Sequence, residues 1–157
     1  MSSLENSSRI TPFLWFDKNA EEAVRFYLSI FKNSRLLGEL RAASDNPSTP
    51  KGAILTASFE LDGQQFTALN GGPLHKFTPA VSFVVRCDSQ EEIDYYWSRL
   101  TDGGGEVACG WLVDKFGLSW QVVPANLPEL LKHPGAFQAL MQMKKLDIAA
   151  LERAGES

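Results

Sequence analysis

Side chains that could carry chemistry are few in this sequence, and they form no recognisable constellation. His75 follows a Gly-Gly-Pro turn and His133 lies between a lysine and a proline, so we interpret both as surface or capping residues. Cys87 and Cys109 lack the close spacing of a metal-binding pair, and Cys87 ends an apolar strand pattern, which predicts a buried, reduced thiol. No Gly-x-Ser-x-Gly motif occurs, and no cysteine has an evident histidine partner. The residues therefore predict no nucleophile.

Paired acids and a glycine run also have structural interpretations. Glu21-Glu22 and Glu91-Glu92 each open an amphipathic pattern, where carboxylates in a first helical turn interact favourably with the helix dipole. Residues 103–105 are three glycines that follow a predicted helix, a position at which glycine ends helices. A nucleotide loop would instead lie between a strand and a helix. The sequence thus shows no nucleotide-binding loop at these glycines.

Composition limits the classes of partner. The formal net charge of -4 argues against a nucleic acid or a membrane surface held by a basic patch. No apolar run reaches the roughly 18 residues of a membrane span, and the polar N-terminal stretch predicts a cytoplasmic location. Ten Phe and four Trp supply enough apolar surface for a buried core.

The elements that must position any site form a pattern that occurs twice. Each copy reads as a strand, a helix opened by a capping box at Asn19 or Ser89, and three more strands. Asp62-Gly63 is a strong hairpin signal in the first copy. The predicted strands cover residues 10–16, 36–43, 53–61 and 64–70, then 80–87, 106–109, 111–115 and 118–124.

The two helix starts lie 70 residues apart, which indicates a duplicated module, although two capped helices could be alike by chance. We predict an α+β fold in which two tandem βαβββ modules form a curved mixed sheet, followed by C-terminal helices. The chain, residues 1–157, is expected to be one domain. Module one spans about 10–73, module two about 79–124, and a helical tail 125–157. Helices are expected at 127–132, 137–144 and 148–153, and the second places Leu140 and Met141 where they could pack on a partner chain.

Several motifs resemble one known family. They are Pro12–Phe16, Ala20–Ala23, Phe26-Tyr27, Leu69–Pro73, Ala80–Val84 and Cys109–Pro124. Together with the tandem modules, they resemble the PhnB-like branch of the vicinal-oxygen-chelate superfamily, which includes glyoxalase I and the extradiol dioxygenases. This branch is labelled the 3-demethylubiquinone-9 3-methyltransferase family. The resemblance runs from about Ile10 to Ala154 and implies the fold more directly than an activity.

In that superfamily the first and last strands of each module supply metal ligands, usually His, Glu or Gln. The resemblance places these positions at Thr11, Thr67, Ser82 and Gln121. This set contains no imidazole and no carboxylate, and such neutral donors suit a divalent transition metal poorly. We therefore expect no metal and no cofactor.

The same positions predict a small-molecule site. Strand parity places Trp15 on the face of Thr11, and Trp111 approaches from a neighbouring strand. The expected ligand contacts are Thr11, Trp15, Thr67, Ser82, Trp111 and Gln121, unless both tryptophans only fill the core. The main prediction is a metal-free small-molecule-binding homodimer. Its alternatives are a metal-dependent lyase or dioxygenase with different ligands, and the methyltransferase of the family label.

Overall fold

The computed structural model describes residues 8–156, and the chain divides into two compact units between Lys76 and Phe77. This break lies between the predicted modules; that both belong to one domain stays a prediction. Residues 1–7, which contributed to the predicted location, lie outside the described residues. Unit one contains β1 (Phe13–Phe16), α1 (Ala20–Ile30), β2 (Arg35–Arg41), β3 (Ile54–Leu61) and β4 (Gln64–Asn70). Unit two contains β5 (Ser82–Cys87), α2 (Gln90–Thr101), β6 (Gly105–Glu106), β7 (Trp111–Val113), β8 (Ser119–Pro124), α3 (Leu127–Leu130), α4 (Pro134–Leu140) and α5 (Ile148–Gly155).

Both units have the same sheet topology. The strand orders are β1-β4-β3-β2 and β5-β8-β7-β6, each a four-stranded mixed sheet. In each, the first and last strands of the module are parallel, and the remaining pairs are antiparallel. Phe13 lies opposite Thr67 in one sheet, and Val84 lies opposite Gln121 in the other. The predicted α+β fold with two βαβββ modules is confirmed. Each unit has its own four-stranded mixed sheet.

The core of unit one lies between α1 and one face of its sheet. Tyr27 of α1 is fully buried and stacks on Phe59, which in turn stacks on Phe66, with ring centroids 6.3 and 5.4 Å apart. Each such side chain contributes about 1.5–3 kcal/mol through burial. The strands that carry these rings alternate as predicted, because Ala57, like Phe59, is buried on the helix side.

The two helix starts differ from each other. Ser89 accepts a hydrogen bond from the backbone N–H of Glu92 at 3.2 Å, which confirms the predicted cap of α2. The predicted cap by Asn19 is wrong, since its side chain makes no capping hydrogen bond. Asn19 has φ -117° and ψ 28°, outside the extended conformation that aims a capping side chain at the first turn. The side-chain oxygen of Asn70 instead accepts from the N–H of Ala20 at 2.9 Å.

Unit two packs α2 on its sheet and adds a helical tail. Ile93, Trp97 and Leu100 are the buried residues of α2. Val123 and Leu140 form a second buried cluster with Leu146 and Leu151. Leu140 was expected to pack on a partner chain, but it is only 7% exposed within this cluster, so that expectation is wrong.

Some element boundaries differ from the prediction. The first strand begins at Phe13 instead of Ile10, after Pro12, which has no N–H to pair. Strand β6 ends at Glu106 instead of Cys109, whose φ of 60° is incompatible with an extended strand. The second tail helix begins at Pro134, a residue suited to the first helical position. Within residues 8–156, no helix combines the length and the apolar character needed to cross a membrane.

Candidate ligand site

The candidate site of unit two lies on the sheet face opposite α2, called here the non-helix face. Along β5, Val85 and Cys87 are buried toward the helix, whereas Ser82, Val84 and Arg86 alternate to the other side. Strand register adds Trp111, Val113, Ser119 and Gln121 to the same face. These residues define the non-helix face of unit two.

Three predicted ligand contacts meet on this face. The amide nitrogen Nε2 of Gln121 donates to the hydroxyl of Ser82 at 3.0 Å. Trp111 lies directly opposite Gln121 across the antiparallel pair β7–β8. All three side chains are half-buried. The structure thus brings together Ser82, Trp111 and Gln121, an amide, a hydroxyl and an aromatic ring without formal charge.

Ser119 is a polar residue of this face that was not among the predicted contacts. It lies opposite Ser82 across the parallel pair β5–β8 and is 1% exposed. Its hydroxyl has no hydrogen-bond partner among the described residues. Strand parity alone relates Ser119 to Gln121, two residues later, but its burial depends on packing that no local pattern reveals.

Thr67 and Trp15, two of the predicted contacts of unit one, have partners within that unit. Thr67 is 7% exposed, and its hydroxyl lies 3.2 Å from that of Ser58. Thr11 precedes the first residue of β1 by two positions, so strand parity does not determine its direction. The structure therefore places Thr67 on the sheet and leaves Thr11 outside the regular strand.

Trp15 is held by the turn that follows β4. Its indole N–H donates to the carbonyl of Gly72 at 2.9 Å, and His75 meets the ring edge-on with centroids 4.8 Å apart. A Cβ on Gly71 would collide with the indole ring. The glycines of this turn thus allow the ring and the backbone to approach closely.

Asn70, which begins the same turn, joins three elements. Besides accepting from Ala20, its amide nitrogen donates to Glu21 Oε1 at 3.1 Å and to the carbonyl of Ile54 at 3.0 Å. Asn70 is 6% exposed. Its hydrogen bonds to α1 and β3 give it a structural role.

Asp114 has a corresponding role in unit two. Its carboxylate is 2% exposed and accepts from the N–H of Phe116 at 2.8 Å, the N–H of Leu118 at 3.0 Å and the indole N–H of Trp120 at 2.9 Å. Gly117 completes the turn with a φ of +90°. The buried acid therefore shapes the β7–β8 connection.

A cavity of about 250 Å³ lies elsewhere in unit one, between α1 and strands β2 and β3. Its walls combine apolar side chains with three charged ones: Val24, Leu28, Leu36, Ile54 and Ala57, with Glu21, Arg25 and Glu39. It lies between the helix and the sheet and includes none of the predicted ligand contacts.

Comparison with known proteins identifies the family. The model of the 3-demethylubiquinone-9 3-methyltransferase family matches residues 8–123, well over half of the chain. The chain belongs to this family. A PhnB protein from Bacillus cereus that carries the same family name is 35% identical, with a TM-score of 0.68, covering 75% of this chain and 100% of that one. The predicted resemblance to the PhnB-like branch of the glyoxalase superfamily is confirmed.

More distant structures share the fold alone. A Pseudomonas aeruginosa protein is 22% identical with a TM-score of 0.61, covering 75% of this chain and 98% of its own. The fosfomycin resistance protein FosX from Listeria monocytogenes, complexed with Mn(II) and sulfate, is 18% identical with a TM-score of 0.54, covering 80% and 96%. No curated protein matches the chain.

The donor chemistry of this family member does not fit a divalent metal at the predicted positions. Thr67, Ser82 and Gln121 carry neutral side chains, as does Thr11. Across residues 8–156, no three His, Cys, Asp or Glu side chains come together as a metal-binding group. His75 is exposed against Trp15.

The thiols do not form a nucleophilic site. Burial raises the pKa of Cys87 to about 12, and the nearby acidic residues Glu92 and Asp88 add to the effect. Cys87 is 1% exposed and unpaired, which confirms the predicted buried thiol. Cys109 is half-buried, with its sulfur 3.9 Å from that of Met141. At neutral pH, Cys87 is therefore a protonated thiol and a poor nucleophile.

Proposed function

We propose that this member of the family binds a small, uncharged molecule at the non-helix face of unit two, without a divalent metal ion. The observation that carries the proposal is the convergence of Ser82, Gln121 and Trp111 on one face. A flat apolar wall with a few oriented hydrogen-bonding groups is the usual make-up of a small-molecule site. Thr11, Trp15 and Thr67 of unit one stay predicted ligand contacts.

Charge complementarity favours a neutral ligand. The side chains that meet at this face are an amide, hydroxyls and apolar groups, and Arg86 lies four residues beyond Ser82 along β5, about 13 Å away. An anion placed between the hydroxyls would lose hydration without gaining an ion partner. An anionic group is therefore accommodated only near Arg86.

The family name is not a sufficient basis for a methyltransferase activity. The glycine run that follows α2 has a structural explanation, because a Cβ on Gly104 would collide with the carbonyl of Val113. Gly103 has a φ of +76°, as is common where helices end. The manganese complex is a property of FosX, whose identity to this chain supports a common fold alone.

Thermal-shift screening of a metabolite library, followed by tryptophan fluorescence titration of the hits, tests the proposal. We expect hits whose affinity falls about tenfold or more in Gln121→Ala and Trp111→Leu. Elemental analysis of protein purified without chelator should find no stoichiometric metal. The absence of any thermal shift would refute the small-molecule site. A stoichiometric metal that is lost in Gln121→Ala would refute the metal-free character of the site.

We further propose a homodimer. Phe137 and Met141 of the tail are 50% and 54% exposed, and Val84 is 58% exposed on the non-helix face. Exposed large apolar side chains of this kind are typical of association surfaces. Light scattering at micromolar concentration should give twice the monomer mass, and the double variant Phe137→Glu, Met141→Glu should lower it. A wild-type monomer would contradict the proposal.

A cytoplasmic location is the third part of the proposal. Both cysteines are free, as expected of a protein kept in a reducing compartment. Cell fractionation with an antibody against the native protein tests it, and recovery outside the cytoplasmic fraction would refute it.

A further inference from the structure

Two serine hydroxyls lie side by side on the non-helix face of unit two. Ser82 and Ser119 are opposite residues of the adjacent parallel strands β5 and β8. The Ser82 hydroxyl accepts from Gln121 at 3.0 Å, and Ser82 is half-buried. The Ser119 hydroxyl is buried and has no partner within residues 8–156. This face thus has one buried hydroxyl without an acceptor, next to a half-buried hydroxyl whose hydrogen can turn toward a ligand.

An unpaired buried hydroxyl is costly, so its presence requires an explanation. A serine here could be replaced by alanine with almost no change in volume, and the desolvation penalty would disappear. Native structures contain few such groups, and those that occur are often located at functional sites. Ser119 lies opposite one predicted ligand contact, Ser82, and two residues before another, Gln121, so a ligand atom is the acceptor that best accounts for it.

The spacing suits a single acceptor oxygen. Adjacent strands are about 4.8 Å apart. An oxygen that accepts from two hydroxyls lies about 2.8 Å from each, so it can bridge two hydroxyl oxygens up to about 5.6 Å apart. A neutral carbonyl oxygen has two lone pairs and can accept both hydrogen bonds. A carboxylate would place a formal charge beside these hydroxyls, whereas Arg86, the cation of the same strand, lies four residues farther along β5.

We infer that Ser119 and Ser82 together donate to the carbonyl oxygen of an uncharged ligand whose flat or apolar part lies against Trp111. Gln121 is a positioning residue, because its amide holds the Ser82 oxygen and directs the hydroxyl hydrogen away from itself. The inference rests on the proposed function and specifies its ligand class. It also explains why a buried hydroxyl is found next to the predicted site.

Three probes of similar size test the inference: acetophenone, ethylbenzene and benzoate. Chemical-shift titration by NMR should show acetophenone binding more tightly than ethylbenzene, which has no acceptor, and than benzoate, which is charged. Ser119→Ala should weaken acetophenone binding about three- to tenfold, the effect of one neutral hydrogen bond, and leave ethylbenzene unchanged. Ser44→Ala, at an exposed position, is the matched control and should change neither affinity.

A second measurement separates binding from structure. The ligand-free Ser119→Ala protein should have a higher midpoint of thermal unfolding than wild type, because the unpaired hydroxyl is gone. Weaker carbonyl binding with greater stability supports the inference, whereas unchanged acetophenone affinity, with or without a stability change, overturns it.

The remaining outcomes distinguish the inference from the proposed function. If acetophenone and ethylbenzene bind the wild type equally, the proposed apolar site is supported and the inference of a carbonyl ligand is refuted. If no probe and no library compound binds, both fall. Should Ser119→Ala fail to fold, the inference falls as well, since the hydroxyl would then be structural, and Ser82→Ala would test the neighbouring donor by itself.

Discussion

The carboxylate of Asp114 offers the sharpest test of how unit two is stabilised. Its Oδ1 accepts from the N–H groups of Phe116 and Leu118, and its Oδ2 accepts from the indole of Trp120. Asp114→Asn preserves an oxygen for the two backbone donors but places an NH₂ group against the indole N–H. The expected loss in unfolding free energy is about 1.5–3 kcal/mol, the range for one hydrogen bond to a charged group.

Complete removal of the side chain should cost more. Asp114→Ala leaves three donors without their acceptor, two of them, on Leu118 and Trp120, in buried residues. Three bonds at the same value would sum to about 4.5–9 kcal/mol, but water can reach the partly exposed Phe116 N–H, so we expect about 3–5 kcal/mol. Such a loss would unfold a marginally stable chain, which makes Asp114→Asn the quantitative variant.

Urea unfolding followed by tryptophan fluorescence measures both variants, because the Trp120 indole reports directly on the broken contact. Asp102→Asn is the matched control, since Asp102 is exposed and the charge change is the same. We expect the control within about 0.5 kcal/mol of wild type. If Asp114→Asn also falls within that range, the assigned role of the carboxylate is wrong.

Four further predictions concern other groups of the two units. Gly71→Ala should destabilise the protein by about 1–3 kcal/mol and shift tryptophan emission, because its Cβ would collide with the Trp15 ring. Asn70→Ala should lower the unfolding free energy by about 2–4 kcal/mol in urea titrations, since three hydrogen bonds are lost. A thiol reagent at pH 8 should modify Cys109 in the native protein but reach Cys87 only after unfolding, as counted by mass spectrometry. The raised pKa of Cys87 should make stability fall between about pH 9 and 12, because the unfolded thiol ionises first, and Cys87→Ala should remove that part of the slope.

Local sequence patterns determined the succession of elements. Alternation along β3 and the helical spacing of α1 and α2 are set by residues close together in the chain, so they were legible without the fold. The hairpin at Asp62-Gly63 is the clearest case: both residues have positive φ, 47° and 86°, as the two central residues of such a turn require. Cap chemistry was equally legible at Ser89, where the acceptor and the donor are three residues apart.

The candidate site was only partly predictable. Strand parity and family resemblance selected Ser82, Trp111 and Gln121, which the sheet of unit two brings together. The same approach omitted Ser119, because its burial and unpaired hydroxyl depend on what packs around it. The metal-ligand positions were likewise chosen by resemblance, whereas their neutral character could be read from the residues themselves.

Tertiary structure decided the roles that depend on partners distant in sequence. The cap of α1 comes from Asn70, 50 residues after the N–H it accepts from, so the nearby Asn19 was a misleading signal. Gln121 and Ser82 are 39 residues apart and meet because β5 and β8 are adjacent parallel strands. A hydrogen bond is local in space and needs no proximity along the chain. The residue types were therefore visible in the sequence, but which side chain satisfies which group was decided by the sheet order.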